Sequence, residues 1–331
     1  MKTIRVIGGG LAGSILALQS HWKGYSVEWW RFGQPSSSLV ASGIYNPVVL
    51  KRLRLVWKAR EFALSAEQFY QQAATSMKVD PRSSCSLYHK IVDAGFANDW
   101  QMRSENEAYQ LFLGPIEKWD KRSYGLVHHA HQLNTAVWLQ EVAQLLEAAG
   151  HRLMAQEWHP SVEKKEDVVT VLCQGWKRDQ LPYGIPAAAF APVKGEVLKV
   201  ELPGYPFPDK IIHGAIFILP IGNDTYKIGA TYSWDELDEE PTEQGREWLL
   251  QQLGKLWKGE VRIIDQYAAV RPAVKDRKPI VGAIPQHDNL YVLNGLGSRG
   301  TLMAPLLSEW LLHHIDTNAP LPDEVNVQRF F

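Results

Sequence analysis

Cysteine is almost absent from this chain. Its 331 residues hold two, Cys85 and Cys173, far apart and in no Cys-x-x-Cys pair. That argues against a disulfide framework and a cysteine-built zinc site, and it fits a reducing compartment. An excess of charge of one sign is missing too, since 35 basic residues against 36 acidic ones leave a formal charge of -1. The chain as a whole therefore carries no electrostatic footprint for nucleic acid or an acidic membrane. No apolar run is long enough to span a bilayer. In place of a secretory leader the N-terminus offers Ile4-Arg5-Val6-Ile7, which reads as a core strand, so the expected location is the cytoplasm. No pair of carboxylates and no Ser/His/Asp arrangement reads as catalytic. What remains is an ordinary globular composition, 45% hydrophobic and 21% charged, long enough for about two domains.

Residues 3–31 read as strand, glycine turn, helix and strand, with the helix over Ser14–Lys23, a stop at Gly24 and a second strand over Tyr25–Trp30. Residues 34–38 read as a loop. Apolar spacing predicts helices over Arg52–Thr75 and Asn134–Ala149, and Val168–Cys173 is a short apolar run before Gly175. From Gly195 to Tyr232 the texture changes to short alternating runs with a Gly222-Asn223-Asp224 turn, the signature of antiparallel strands. A helix over 242–256, a strand over Leu290–Leu293 and a helix over Leu302–Ile315 complete the reading. The α/β texture at both ends with a β-rich middle predicts one nucleotide-binding unit built from separated segments, interleaved with a sheet domain.

The turn Gly8-Gly9-Gly10-Leu11-Ala12-Gly13 lies between the first strand and the first helix. A βα turn that holds a dinucleotide must turn tightly, let the backbone approach a pyrophosphate, and pack the helix against the strand. Gly8, Gly10 and Gly13 meet these needs in order, and the helix N-terminus then points N–H groups at the phosphates. The bland alternative is a glycine-rich turn without a ligand. An acidic residue is expected near the end of the second strand for a ribose hydroxyl. That place holds Arg31, with Glu28 three residues earlier. Arg31 is compatible with a 2′-phosphate, so NADP stays open on this loop alone.

A second glycine loop, Gly295-Leu296-Gly297-Ser298-Arg299-Gly300, also sits between a strand and a helix, with Pro305 expected early in that helix, where a missing N–H costs least. Such a nest suits the negative N1–C2=O edge of a reduced flavin. Together with Ala41-Ser42-Gly43-Ile44-Tyr45-Asn46-Pro47 and Val270-Arg271-Pro272-Ala273 through Gly282, these motifs, in this order, resemble the D-amino-acid oxidase superfamily of FAD-dependent amine oxidoreductases. The resemblance spans nearly the whole chain. Glycine/sarcosine-oxidase-like enzymes and the oxidase domain of the bifunctional tRNA 5-methylaminomethyl-2-thiouridine enzyme are the most similar branches, the latter through the stretch Gly295 to Pro305.

The resemblance implies an α/β fold: a Rossmann-like FAD-binding domain from 1–75, 135–192 and 272–331, with an antiparallel-sheet substrate domain from 76–134 and 193–271. It implies that Gly8, Gly10, Leu11, Ala12 and Gly13 meet the pyrophosphate and that Ser36 to Ser38 lie near phosphates and ribose. Ala41, Ser42, Gly43 and Ile44 pass the flavin ring, Trp158 meets the adenine, and Gly175 follows the fourth strand. Gly297, Ser298, Arg299, Gly300 and Thr301 line the pyrimidine edge. Arg31 stands where the family usually has Glu. Covalent attachment is not expected, because Val40 occupies the position of one branch's linking His and no Cys follows Cys173.

The activity so implied is oxidation of the C–N bond of a small amine or amino acid, giving an imine that hydrolyses. A modified wobble uridine of tRNA is the less favoured substrate, and an FAD-binding subunit without turnover is the reading from another class. Arg271 matches the residue that binds a substrate carboxylate; its alternative is an internal pair with Asp276. Phe217 and Tyr232 match positions facing the flavin, against plain core packing. Tyr45 and Asn46 are within reach of either ligand. His128-His129-Ala130-His131 lacks a fourth ligand and reads as a solvated turn rather than a metal site. Lys51-Arg52-Leu53-Arg54 reads as a solvated helix start. Asp235 to Glu240 reads as a solvated loop or a partner of the following helix dipole. Oligomeric state is not legible.

Overall fold

The computed structural model describes residues 2–33, 36–119, 121–159, 167–176 and 184–331. Its helices are α1 (Leu11–Trp22), α2 (Ser36–Val40), α3 (Ala59–Ala74), α4 (Ala94–Ser104), α5 (Thr135–Ala148), α6 (Glu243–Leu253) and α7 (Gly300–Thr317). The polypeptide is a mixed α/β protein built on two large sheets. The first has six strands in the order Arg152–Met154, Ser26–Trp30, Thr3–Ile7, Val168–Leu172, Leu290–Asn294 and Ile280–Ala283. Its pairs are parallel except the last, where Ile280–Ala283 turns back antiparallel on its neighbour. Near-continuous apolar strands such as Val168–Leu172 suit a parallel sheet covered on both faces.

α1 is buried along most of its length and packs against α5 and α7. Ser14 faces inward there and accepts a 2.8 Å bond from Trp138 Nε1 on α5. Asn134 caps α5 by accepting from the Val137 amide, the role its short side chain fits. The second sheet has eight strands in the order Arg262–Arg271, Val193–Glu201, Thr225–Gly229, Phe217–Gly222, Lys210–His213, Ser86–Ile91, Arg122–Val127 and Leu113–Trp119. All its pairs are antiparallel except that between Lys210–His213 and Ser86–Ile91. One face packs Leu198, Val200, Ile218 and Ile228 with Leu249 and Leu253 of α6. Thr242 caps α6 by accepting from the Gly245 amide.

Several local expectations change. Residues 53–58 are not helical: Leu53 and Lys58 are left-handed at φ 44° and 49°, and Val48–Val49 pairs with Arg54–Leu55. Leu55 belongs to that ladder, while Ala59, Phe62, Ala66, Phe69 and Ala73 form the buried stripe of α3. Within the loop read over 34–38, Ser36 begins α2, and residues 34 and 35 lie outside the described residues. Pro305 is not in the first turn, because α7 begins at Gly300. Proline there removes the donor that the Thr301 carbonyl would use four residues on. The Tyr70 hydroxyl supplies it instead, donating to Thr301 O at 2.8 Å.

Candidate functional site

The first glycine loop is shaped by contacts that no side chain would survive. Gly8 has φ +130°, and a Cβ there would lie 2.2 Å from the Cys173 carbonyl oxygen. A Cβ on Gly13 would lie 2.1 Å from Gly8 O, so the helix sits directly on the turn. Gly10 begins α1 in an extended conformation, with no side-chain cap and no acid in the first turn. The Leu11 amide donates to Ser38 Oγ at 3.0 Å. Among the described residues the amides of Gly10, Ala12 and Gly13 have no recorded acceptor. A bare helix N-terminus with free N–H groups is the donor set that a diphosphate requires.

The second loop repeats the device. Gly295 and Gly297 have φ +75° and +55°, and Arg299 precedes α7 without capping it. The Gly297 amide donates to Pro272 O at 3.0 Å. The amides of Ser298, Gly300 and Thr301 have no recorded acceptor among the described residues. The two loops meet: a Cβ on Gly300 would lie 3.3 Å from Leu11 Cδ2. Between them in the sequence lies Ala41-Ser42-Gly43-Ile44. Gly43 has φ +69°, and its missing side chain leaves room for the Leu133 carbonyl, which a Cβ would approach to 1.8 Å. Gln132 Nε2 donates to Ser42 O at 3.2 Å. Helix α2 ties this region to the second sheet, because Ser37 Oγ donates to Val270 O at 2.6 Å.

At or shortly beyond the C-terminal ends of the parallel strands, three buried donor atoms have no partner among the described residues: Trp30 Nε1, Arg31 Nε and Trp158 Nε1. Buried donors are rarely left unmade, and this edge is where open α/β sheets take ligands. Arg31 lies over the Trp29 ring at 4.6 Å and lines a cavity of about 290 Å³ with Leu39 and α5. Burial draws its pKa down, partly opposed by Glu147. Glu28 does not substitute for the missing acid: its two oxygens take Arg5 Nε at 2.8 Å and Arg152 Nη1 at 2.7 Å. Gly175, at φ +66°, has open space at its Cα, and its carbonyl accepts from Asn294 Nδ2 at 3.0 Å.

Arg271 ends the strand Arg262–Arg271. Its Nη1 donates to Lys194 O and Thr231 O, each at 3.3 Å, and its guanidinium lies 4.3 Å from the centre of the Tyr232 ring. Among the described residues it forms no ion pair, and Asp276 is taken by Arg329 at 2.9 Å. Burial pulls the Arg271 pKa down, with Tyr232 opposing. The Cα of Arg271 pairs with Val193, yet the guanidinium lies where a Cβ of Gly195 would be, 2.2 Å from that point. The side chain thus reaches back along its neighbour strand. Val193, Gly195 and Val197 share one face by the two-residue period. Val197 pairs with Gly229 and Gly229 with Phe217, whose ring covers the glycine at 2.9 Å from its absent Cβ. Arg271 and Phe217 therefore lie on the same face, the one opposite α6, about two residues or roughly 7 Å apart along the strand. Tyr232 is exposed, Phe217 half-buried.

Other candidates fall elsewhere. Tyr45 is buried against Tyr70 and His131. His129 Nδ1 contacts Glu67 at 2.7 Å, and no metal-holding cluster occurs among the described residues. Asp238, in the acidic stretch, is the partner of the fully buried Lys194. Lys194 and Gly195 carry the site without having been singled out. A glycine inside the strand Val193–Glu201 is the available signal, since it marks a close approach.

Residues 3–313 match the family model described as FAD dependent oxidoreductase. The chain is 26% identical over 341 residues to the tRNA 5-methylaminomethyl-2-thiouridine biosynthesis bifunctional protein of Idiomarina loihiensis, a match covering 93% of this chain and 54% of that protein. A shorter match, 32% identical over 124 residues, links 37% of the chain to 34% of the glycine oxidase of Bacillus licheniformis. The chain thus spans about half the length, or less, of these curated relatives. The iminodiacetate oxidase of Chelativorans superposes with a TM-score of 0.81 at 17% identity, covering 99% of this chain and 98% of that one. The glycine oxidase of Geobacillus kaustophilus gives 0.78 at 16% identity, with 97% and 96% covered. At such identities the likeness speaks for the fold alone.

Proposed function

Because the chain belongs to the family of FAD-dependent oxidoreductases, we propose that it oxidises the C–N bond of a small amine or amino acid bearing a carboxylate. The observation that carries this reading is Arg271, half-buried, held by two carbonyls, and without a carboxylate partner among the described residues. A planar guanidinium so placed suits bidentate pairing with a carboxylate. The bare N-termini of α1 and α7, the glycine cradle and the orphaned Trp30, Arg31 and Trp158 donors fit FAD. Gly8, Gly10, Leu11, Ala12 and Gly13 would hold its diphosphate, Trp158 and Arg31 its adenosine half, and Ala41 to Ile44 with Gly297 to Thr301 its ring. Val40 offers no nucleophile for a covalent link.

When bound, FAD supplies the acceptor for the hydride leaving the carbon next to nitrogen. The protein's own task is placement. Arg271 fixes the carboxylate end, Gly195 leaves the space in which the guanidinium lies, and Tyr232 and Phe217 wall the amine from water. The amine enters unprotonated from solution, so no dedicated base is required. The product imine takes up water and separates into a carbonyl compound and an amine. In this reading the six-stranded sheet with its helices serves the cofactor and the eight-stranded sheet the substrate.

Anaerobic mixing with a panel of amino acids and simple amines tests the proposal. Arg271→Ala should raise KM for an amino acid roughly ten- to hundredfold, the worth of a charge-assisted pair, with little change for a simple amine. Equal effects on both would refute the assignment. A second reading, a modified wobble uridine of tRNA as substrate, is favoured by the match along 93% of the chain. Flavin bleaching by that nucleoside alone would select it, and no bleaching by any amine would leave an FAD-binding subunit.

A further inference from the structure

Residues 231–242 form a strap that leads from the eight-stranded sheet to α6. It begins as a short antiparallel pairing with the strand Val193–Glu201. The Lys194 amide donates to Ser233 O at 2.9 Å, the Ser233 amide to Lys194 O at 3.0 Å, and the Thr231 amide to Glu196 O at 3.2 Å. This register sets Tyr232 opposite Gly195, on the same face of the sheet. Tyr232 therefore covers the guanidinium that fills the place of a Gly195 side chain. Thr231 O, on the same strap, accepts from Arg271. The form of the proposed carboxylate receptor thus depends on where the strap lies.

Little apolar burial holds it there. Every residue from Trp234 to Pro241 is exposed, Trp234 and Leu237 included. Five of the six residues Asp235 to Glu240 are acidic and none of 231–242 is basic, so like charges push the segment apart from within. The ties come from behind, on the face of the sheet opposite Arg271. Lys194 and Glu196 are buried, two residues apart and so on that one face. The Glu196 carboxylate accepts from the Thr242 amide at 2.8 Å and from its hydroxyl at 2.7 Å, which fastens the far end. The Lys194 ammonium, fully buried, pairs with the half-exposed Asp238 in the middle. A buried ammonium stripped of its partner must take up water or swing outward. This pair therefore draws the strap inward where no apolar contact does.

We propose that Lys194 and Asp238 are positioning residues for the substrate carboxylate: their ion pair is the latch that keeps the strap closed, with the Tyr232 ring and the Thr231 carbonyl on Arg271. Lys194 acts at both ends of this device, by its carbonyl on Arg271 and by its ammonium on the strap. The proposal rests on the proposed function, in which Arg271 receives the carboxylate. Removing either charged group releases the strap and leaves Arg271 and the glycine loops in the chain.

The test uses the FAD-loaded wild type, Asp238→Asn, Lys194→Met and their double variant, each also in a Tyr232→Ala background. Digestion with a protease that cuts after glutamate reads the strap itself, at Glu236, Glu239 and Glu240, and needs no substrate. Anaerobic titration with sarcosine and dimethylamine, followed by flavin absorbance, reads the receptor, since the two share a secondary amine and only sarcosine has a carboxylate. Asp238→Asn and Lys194→Met should each speed cutting within the strap roughly tenfold or more, because a local opening is freed from its tie. Each should weaken sarcosine roughly three- to tenfold, the worth of a cation–π contact with a hydrogen bond, and leave dimethylamine unchanged. The double variant should be no worse than the worse single one, and in the Tyr232→Ala background neither change should weaken sarcosine further. Asp238→Glu, which keeps the charge, should retain most of the affinity. Strap cutting as slow as wild type in both single variants overturns the latch, as do additive losses or an undiminished loss without Tyr232. Arg271→Gln separates this outcome from the proposed function. If it weakens sarcosine while the latch variants do not, the positioning role is wrong and the carboxylate receptor stands. If it leaves sarcosine unchanged while the latch variants are cut faster, the latch stands and the receptor is wrong.

Discussion

Gly195→Ala is the sharpest probe of the proposed site, because it moves Arg271 without mutating it. A methyl at 195 would lie 2.2 Å from both Nη1 and Nη2 and 2.3 Å from Cζ. Ordinary contact distances are about 3.5 Å, so the guanidinium must retreat by more than about 1 Å. Its bonds to Lys194 O and Thr231 O are already 3.3 Å long, and such a retreat breaks them. The backbone has no reason to object. Gly195 is not among the positive-φ glycines, and alanine in a strand costs less entropy than glycine, by roughly 0.5–1 kcal/mol. The clash falls on the far end of a flexible side chain, so the fold should hold, with Tm within a few degrees of wild type. Displacing the guanidinium forfeits a charge-assisted pair of about 1.5–3 kcal/mol. For a carboxylate-bearing amine kcat/KM should therefore drop roughly ten- to hundredfold, and for a simple amine it should stay unchanged. Steady-state kinetics on both substrates with a thermal melt decide the matter. An unaltered rate on the carboxylate substrate, or an equal loss on both, would show that Arg271 does not act where the geometry puts it.

Two further outcomes follow from buried polar groups. Tyr70→Phe orphans the Thr301 carbonyl and should cost about 1–3 kcal/mol, whereas in a Pro305→Ala background the restored amide takes over and the same change should cost much less; a double-mutant cycle by urea unfolding with no coupling would disprove the compensation. His89 and His213 face each other across the parallel strand pair, Nδ1 to Nδ1 at 3.1 Å, and burial lowers them to about 3 and about 4 from 6.5. Unfolded histidine takes up its proton near pH 6.5 and the folded pair only well below, so the stability they contribute is complete above pH 6.5 and lost as pH falls toward 4. The loss is roughly 3–5 kcal/mol after allowing for the partial exposure of His213, and a His89→Gln/His213→Gln protein whose stability falls just as steeply between pH 7 and 4 would exclude the pair as the cause.

What was legible in the chain depended on whether the information was local. The glycine loops, the helices α5 and α6 and the strand runs at 168–173 and 290–293 are written in consecutive residues, and each forms close to the expected place. The segment 53–58 misled because Leu55 continues a helical spacing while Leu53 and Lys58 take left-handed turns. No run of neighbours reveals a turn made by non-glycine residues, since tertiary packing overrides their preference. Pro305 was misjudged by a shift in helix start, and its remedy, Tyr70, lies 231 residues away. Gly195 and Lys194 went unnoticed for a related reason: their significance is a contact with Arg271 on the adjacent strand, which exists only once the register is known.

In the proposed FAD site, the adenosine end turns on one substitution. A carboxylate at the end of the second strand accepts from a ribose hydroxyl, and Arg31 can only donate. Glu28 is no reserve, since Arg5 and Arg152 occupy both its oxygens. Yet a hydroxyl accepts as readily as it donates, so exchanging acid for guanidinium reverses the bond rather than abolishing it. The neighbouring orphans point the same way. Trp30 Nε1, Arg31 Nε and Trp158 Nε1 are all donors, a set that asks for oxygens and ring nitrogens, of which an adenosine diphosphate has many. An arginine at this position alone would fit a 2′-phosphate equally well. It is the second bare helix N-terminus at Gly300, packed against Leu11 of the first helix, that has no obvious use in an NADP site and suits the negative N1–C2=O edge of a reduced flavin.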